Sequence, residues 1–294
     1  MTISKEMLAS AARAVTLLGS TRAAEIGEFY RRLLMPDGGF ADRAGKSDLY
    51  YTVFGLQACR ALGVELPVGS VSSYLHGFGE GERLDMVHLS CLARCRAVLD
   101  GQACPSDLRL AMLARIEACR SADGGYAQQT RRPAGSAYGC FLALGACQDL
   151  GADLPYADGV VRCLAGLAVG DGSYANDASM PIGSVPATAA AVMVLAHLHL
   201  PADAGAADWL LAQHDPAGGF RAVPIAPEPD MLSTAVALQA LRKLDADISA
   251  VRPQCAEFCR SNFSEGRFAG HGGDTALDGE YTFYGLLALG CLEE

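Results

Sequence analysis

PDGGFADRAGKSDLYYTVFGLQACRAL, residues 36–62, carries the plan of the whole chain. The Gly38-Gly39 pair before Phe40 marks a tight turn, because glycine takes the positive φ such a turn needs. A short polar loop follows, and Asp48 then caps an apolar stretch that reads as a helix to about Leu62. Gly63 stops it, and a shorter helix is predicted from about Pro67 to Leu75. Upstream, residues 5–35 read as two helices broken near Gly19-Ser20, with apolar positions three and four apart.

The same plan returns along the chain. Gly77-Phe78-Gly79-Glu80-Gly81 is a degenerate turn, followed by helices over about 85–99 and from Pro105 to near Cys119. Asp123-Gly124-Gly125-Tyr126 precedes a helix from Ser136 to Leu150, and Gly170-Asp171-Gly172-Ser173-Tyr174 precedes one from about Ser184. Ala217-Gly218-Gly219-Phe220 leads to a helix at Asp230, and Glu265-Gly266-Arg267-Phe268 to a last one at Asp278. The turns fall near residues 38, 79, 124, 172, 218 and 266, a spacing of roughly 40–50 residues with two helices per period. Such a period means a repeat architecture, an open solenoid or a closed ring, with almost no strand. The Pro-rich stretch 223–229 does not interrupt the phase, so residues 1–294 read as one domain.

Composition narrows the function. Hydrophobic residues make up 51%, enough for a large core, and the net charge of −10 argues against a nucleic-acid groove. The first twenty residues lack the apolar core and cleavage pattern of a signal peptide. The longest apolar run, Pro186–Leu200, is short for a membrane span and contains His197 and His199, so it reads as a buried helix. Eleven Cys sit mostly inside apolar helical segments with no CxxC, which suggests reduced, buried thiols and a cytoplasmic protein.

A Gly-Gly-aromatic turn before a helix that starts with Asp resembles the repeat of protein prenyltransferase β subunits and of squalene and other terpene cyclases. The resemblance covers roughly residues 36–294 and implies an all-α fold, an α/α toroid of six helical hairpins around a central cavity. In protein prenyltransferases one repeat carries Asp-Gly-Cys-Tyr-Ser-Phe, and the next a Pro-Gly-Lys-Ser-like loop followed by Asp-Phe-Tyr-His-Thr; the Asp, Cys and His bind a catalytic zinc. Leu277-Asp278-Gly279-Glu280-Tyr281-Thr282-Phe283 is similar to the first motif, with Glu280 where Cys is expected. Ala44-Gly45-Lys46-Ser47-Asp48-Leu49-Tyr50-Tyr51-Thr52 is similar to the second, with Tyr51 in place of His. The order is reversed along this chain, but closure of the ring would bring the last repeat against the first.

Through this resemblance Asp278, Glu280, Tyr281, Asp48 and Tyr51 are the candidate catalytic residues. Asp278 and Glu280, with His88 as a substitute for the missing His, are the candidate metal ligands. Alignment of LARCRA with LQACRA puts His88 level with Thr52, one residue off the ligand position. Cys and His suit zinc, whereas two carboxylates and a phenol make a harder oxygen site. Zinc, magnesium and no metal all stay open. The ordinary reading of Asp48, Asp230 and Asp278 is a helix N-cap, worth about 1 kcal/mol.

Arg43, Lys46, Arg131, Arg132 and His271 lie in loops before the helices and are the candidate diphosphate contacts; ordinary solvated charge is the competing reading for each. Tyr50, Phe54, Tyr138, Phe141 and Tyr284 are the candidate lining of an isoprenoid tunnel, against the alternative that they fill space between helix layers. No Asp-x-Asp-Asp motif occurs, since Asp245-Ala246-Asp247 lacks the last Asp, and this argues against class II cyclisation. The resemblance implies a protein that binds a prenyl diphosphate in its cavity and transfers the prenyl group to an acceptor, with the diphosphate leaving. The alternative is a non-catalytic scaffold or small-ligand binder. A separate helical subunit, as in the protein prenyltransferases, or a second copy of the chain is an implied partner.

Overall fold

The computed structural model describes residues 1–99, 104–274 and 278–293; Leu277 of the last motif lies outside them. Twelve helices occur among the described residues. Six are inner helices: α2 (Leu49–Ala61), α4 (Met86–Val98), α6 (Ala137–Asp149), α8 (Val185–His197), α10 (Met231–Lys243) and α12 (Gly279–Leu292). Each packs on the next, and α12 packs back on α2, so the ring is closed. The others alternate with them: α1 (Ile3–Leu33), α3 (Val68–His76), α5 (Ser106–Ala118), α7 (Ala157–Leu167), α9 (Ala206–Ala212) and α11 (Arg252–Ser261). Two hairpins of two-residue strands, β1 (Phe40–Ala41) with β2 (Ser47–Asp48) and β3 (Phe263–Ser264) with β4 (Arg267–Phe268), are the only sheet among the described residues. The arrangement is the all-α α/α toroid that the family resemblance implies.

The inner helices start where the sequence places their caps. Asp48, Asp85, Ser136, Ser184, Asp230 and Asp278 are the N-caps, and each accepts a backbone N–H of its own first turn. The turn before each helix is tied down by a second device. The N–H of Phe40 donates to Thr52 Oγ1 at 2.9 Å, and Thr52 donates in turn to the Asp48 carbonyl at 2.6 Å. Tyr174 with Thr188, Phe220 with Thr234 and Phe268 with Thr282 repeat the first of these bonds. The fourth residue of the helix therefore fixes the aromatic of the turn. Gly38 has φ +97°, and a Cβ there would overlap the Ser70 carbonyl of α3, so this glycine also lets the turn touch the next outer helix.

α1 does two jobs. Gly19, at φ 74°, breaks it into two halves, as the sequence predicts. The second half stands outside the ring; Tyr30 Oη donates to the Gly279 carbonyl at 2.6 Å. The first half crosses the ring at the C-terminal ends of the inner helices. Ile3 N–H donates to Gln148 Oε1 at 2.8 Å, Ser4 bonds Asp149, and Arg13 Nε donates to the Gly290 carbonyl at 3.1 Å. Glu6 pairs with His197 at 3.0 Å and Lys243 at 2.8 Å. One end of the toroid is thus closed by the chain's own helix.

The hydrogen bond from His197, reinforced by Lys243, lowers the Glu6 carboxyl from 4.5 to about 2, against the opposing effect of burial. A depressed carboxyl stabilises the fold above its unfolded value, and the contribution disappears as pH falls through the folded value. Glu6→Gln is expected to lower stability by about 1 kcal/mol at pH 6, partial solvent exposure being allowed for. The gap to the parent should narrow as pH falls from 4.5 towards 2. Urea midpoints measured across that range check this, and a gap independent of pH would contradict it.

Candidate functional site

The inner helices enclose a cavity of about 310 Å³. Its wall follows helix geometry, since residues three, four and seven apart share a face. Counted from each helix start, the second residues Tyr50, Tyr138, Pro186 and Leu232 form the upper layer. The fifth and sixth residues form an apolar waist that includes Val53, Phe54, Phe141, Ala189, Ala190 and Tyr284. The lower layer holds Arg94, Met193 and Gln239, with Met7 of α1 closing the end. Tyr50, Phe54, Tyr138, Phe141 and Tyr284, the candidate tunnel residues, all line this cavity. Phe54 stands 5.0 Å from Tyr50 and 5.6 Å from Tyr284, centroid to centroid.

Ring closure joins the two half-motifs at the mouth. Arg43 Nε donates to Asp278 Oδ2 at 2.6 Å, and Tyr50 Oη donates to Glu280 Oε1 at 2.6 Å. Asp278, 3% exposed, also caps α12 by accepting from Tyr281 N–H at 2.9 Å. The Arg43 guanidinium lies 5.8 Å from the Tyr281 ring centre. Asp48 accepts from the backbone N–H groups of Tyr50 and Tyr51. Burial raises the Glu280 carboxyl above its ordinary value; the Tyr50 hydroxyl opposes the rise. Burial, with Asp278 adding to it, raises the Tyr51 phenol too.

The metal reading needs correction. Asp278, Glu280 and His88 do not form a ligand set, and among the described residues no three His, Cys, Asp or Glu side chains come together to hold an ion. Asp278 is held by Arg43 and Glu280 by Tyr50, while His88 Nδ1 lies 2.8 Å from Asp85 Oδ1 at the start of its own helix. The caps also correct the register: His88 is the third residue of α4, level with Tyr51, the third of α2. A mouth of two engaged carboxylates, phenols and a guanidinium does not fit zinc, which takes thiolate and imidazole donors, and no step is assigned to a metal.

The five cations read as diphosphate contacts have separate surroundings. Arg43 is engaged by Asp278. Lys46 is exposed, and its backbone pairs with Asp42 in the β1–β2 turn. Arg131 and Arg132 line a shallow depression with Glu117 and Arg120 that shares no residue with the cavity. His271 faces Glu228 at 3.2 Å. A single basic rim built from all five is therefore not what the fold presents.

Arg94, Gln239 and Met7 escape a reading by motif. The available signal is positional: Arg94 and Gln239 are each the ninth residue of an inner helix, on the face that carries Tyr50, Tyr138 and the waist residues. Met7 gives no such signal, because its neighbours come from helices far along the chain.

No curated protein sequence matches the chain. Solved structures do. The chain superposes on protein geranylgeranyltransferase-I of Candida albicans, complexed with GGPP, with a TM-score of 0.66 at 13% identity over 91% of this chain and 89% of that one. It superposes on a variant of the type II terpene cyclase MstE from Scytonema, in complex with geranylgeranyl dihydroxybenzoate, with a TM-score of 0.62 at 13% identity over 96% and 97%. A protein from Actinoplanes gives 0.60 at 18% identity over 93% and 98%. At these identities the likeness is one of fold. The family model described as the prenyltransferase alpha-alpha toroid domain matches residues 14–68, 63–161 and 163–294, and the chain belongs to that family.

Proposed function

We propose that the chain binds an isoprenoid in its central cavity, the hydrocarbon chain lying in the aromatic waist and a prenyl diphosphate being the form in which it is presented. The observation that carries this is the cavity itself. Five aromatic side chains from α2, α6 and α12 converge on one space of about 310 Å³, within the range of roughly 300–1,000 Å³ usual for small-molecule sites. One end is closed by α1, so a chain enters from the mouth. Two of the structural neighbours are complexes with GGPP and with geranylgeranyl dihydroxybenzoate, which agrees with this reading. In transfer, Arg43 at the mouth would stabilise the leaving diphosphate. Glu280, held through Tyr50, would orient an acceptor.

A binder that carries out no transfer is the second reading. It is favoured by the mouth, where Asp278 and Glu280 already have partners within the chain. Pyrophosphate release separates the two readings.

Ala190→Trp should abolish binding. Ala190 is 7% exposed and lines the waist, so an indole there fills the cavity. Calorimetric titration with farnesyl and geranylgeranyl diphosphate should give a complex with the parent protein. For the variant, affinity should fall about 100-fold or more, since the ligand loses most of its buried surface. Equal affinity in both proteins would place the ligand elsewhere and sink the proposal.

A further inference from the structure

The floor of the cavity carries two polar side chains beside Met193 and Met7, beneath a waist that is mainly apolar and aromatic. The ninth residues of the inner helices lie at one level, about 12 Å below the helix starts. Three of them, Arg94, Met193 and Gln239, line the cavity, and the two polar ones, Arg94 and Gln239, are only 8% and 6% exposed. A guanidinium carries five N–H donors. Among the described residues the Arg94 guanidinium has one partner, the Asp149 carboxylate, whose Oδ2 lies 3.8 Å from Nε, beyond hydrogen-bond reach. Burial raises the Asp149 carboxyl despite the nearby charge. Gln239 Nε2 is buried with no hydrogen-bond partner. Gln57, at the same level on α2, has none for either amide atom. Buried polar groups are almost always satisfied, and donors that the protein leaves open are met by what occupies the space in front of them. A purely hydrocarbon tail pressed against this floor would leave them open.

We infer that the cavity takes an isoprenoid bearing an oxygen acceptor, a carboxylate, at the end that reaches the floor, where Arg94 and Gln239 donate to it. This rests on the isoprenoid reading of the cavity and adds the chemistry of the buried end. A carboxylate accepts two parallel N–H bonds from one guanidinium, and the Gln239 amide supplies a third donor. Asp149 Oδ2, 3.8 Å from Arg94 Nε, takes no hydrogen bond from the guanidinium.

The probe is a neutral apolar fluorophore, N-phenyl-1-naphthylamine, displaced either by farnesoic acid or by farnesene, the matched hydrocarbon. The quantity read is the ratio of the two affinities. Arg94→Met should lower the acid-to-farnesene ratio about tenfold or more, and Arg94→Lys should keep part of it. Because Arg94→Met leaves Asp149 without its cation, Arg94→Met/Asp149→Asn serves as a second variant, with the same fall expected. Gln239→Leu should lower the ratio a few-fold. If farnesene displaces the probe and the ratio is unchanged in both Arg94 variants, water alone satisfies the floor; the inference is then overturned and the isoprenoid cavity stands. If neither ligand displaces the probe from the parent protein, the isoprenoid reading fails and takes the inference with it.

Discussion

Phe40→Ala is expected to cost about 3–5 kcal/mol, the range for emptying a buried phenylalanine site. Phe40 is 1% exposed. Its ring lies over Gly55 of α2 so closely that a Cβ at Gly55 would overlap it, and the ring meets Tyr30 edge-on at 6.4 Å. Tyr30 in turn holds the first residue of α12 through the Gly279 carbonyl. The space left by the ring therefore lies at the seam where the last repeat closes on the first. Neighbours on α1 and α2 limit how far the site can collapse, which puts the cost in the upper part of the range. Phe263, half-buried at the hairpin β3–β4, is the control and should lose much less on the same substitution. Urea unfolding of both variants reads the difference. A loss below 1 kcal/mol for Phe40→Ala would mean the seam does not depend on this ring.

The second large effect is expected at Gly290. Here α12 and the first half of α1 touch backbone to backbone, and a Cβ would overlap the Ser10 carbonyl oxygen. Gly290→Val must push the two helices apart, at about 1–3 kcal/mol or more. The push is also functional. Ser10 lies one turn from Met7, which closes the cavity, and the Arg13 bond to the Gly290 carbonyl sits at the same contact. If the cavity binds an isoprenoid as proposed, lower stability should come together with weaker binding of farnesyl diphosphate, although Gly290 does not line the cavity. Gly290→Ala should show both changes in smaller measure. Retained affinity in a clearly destabilised Gly290→Val protein would show that the floor does not depend on this contact.

Much of the fold is legible in the sequence because each repeat writes its instructions locally. A glycine turn, an aromatic, a capping Asp or Ser and an apolar helix recur, and all six inner caps fall at residues picked out by the repeat plan. Closure was legible only through the family resemblance, because six hairpins alone also allow an open solenoid. That closure accounts for Arg43 meeting Asp278 and Tyr50 meeting Glu280 across more than two hundred residues of sequence. The rest failed for a physical reason. Where a loop cation points depends on neighbours from other repeats, so Arg131 and Arg132 looked equivalent to Arg43 and are not. His88 could be placed in the motif only once Asp85 was known to be its cap. The floor was hidden because Glu6 finds its partners near residues 197 and 243, at distances no local pattern encodes.

The two-part helix α1 has a consequence for how the protein is made. Its buried face, with Ile3, Met7 and Ala11, and its later contact, Tyr30, are synthesised before the other hairpins, but α12, against which α1 packs most extensively, is synthesised after them. On a ribosome the intervening hairpins can assemble neighbour by neighbour, while α1 waits with its apolar stripe bare. Long-range partners of this kind slow folding and leave nascent chains prone to aggregate. The final step is then a docking event in which one helix, α12, seals the wall and seats the base at once. A chain halted before residue 279 should therefore be a prime client for chaperones.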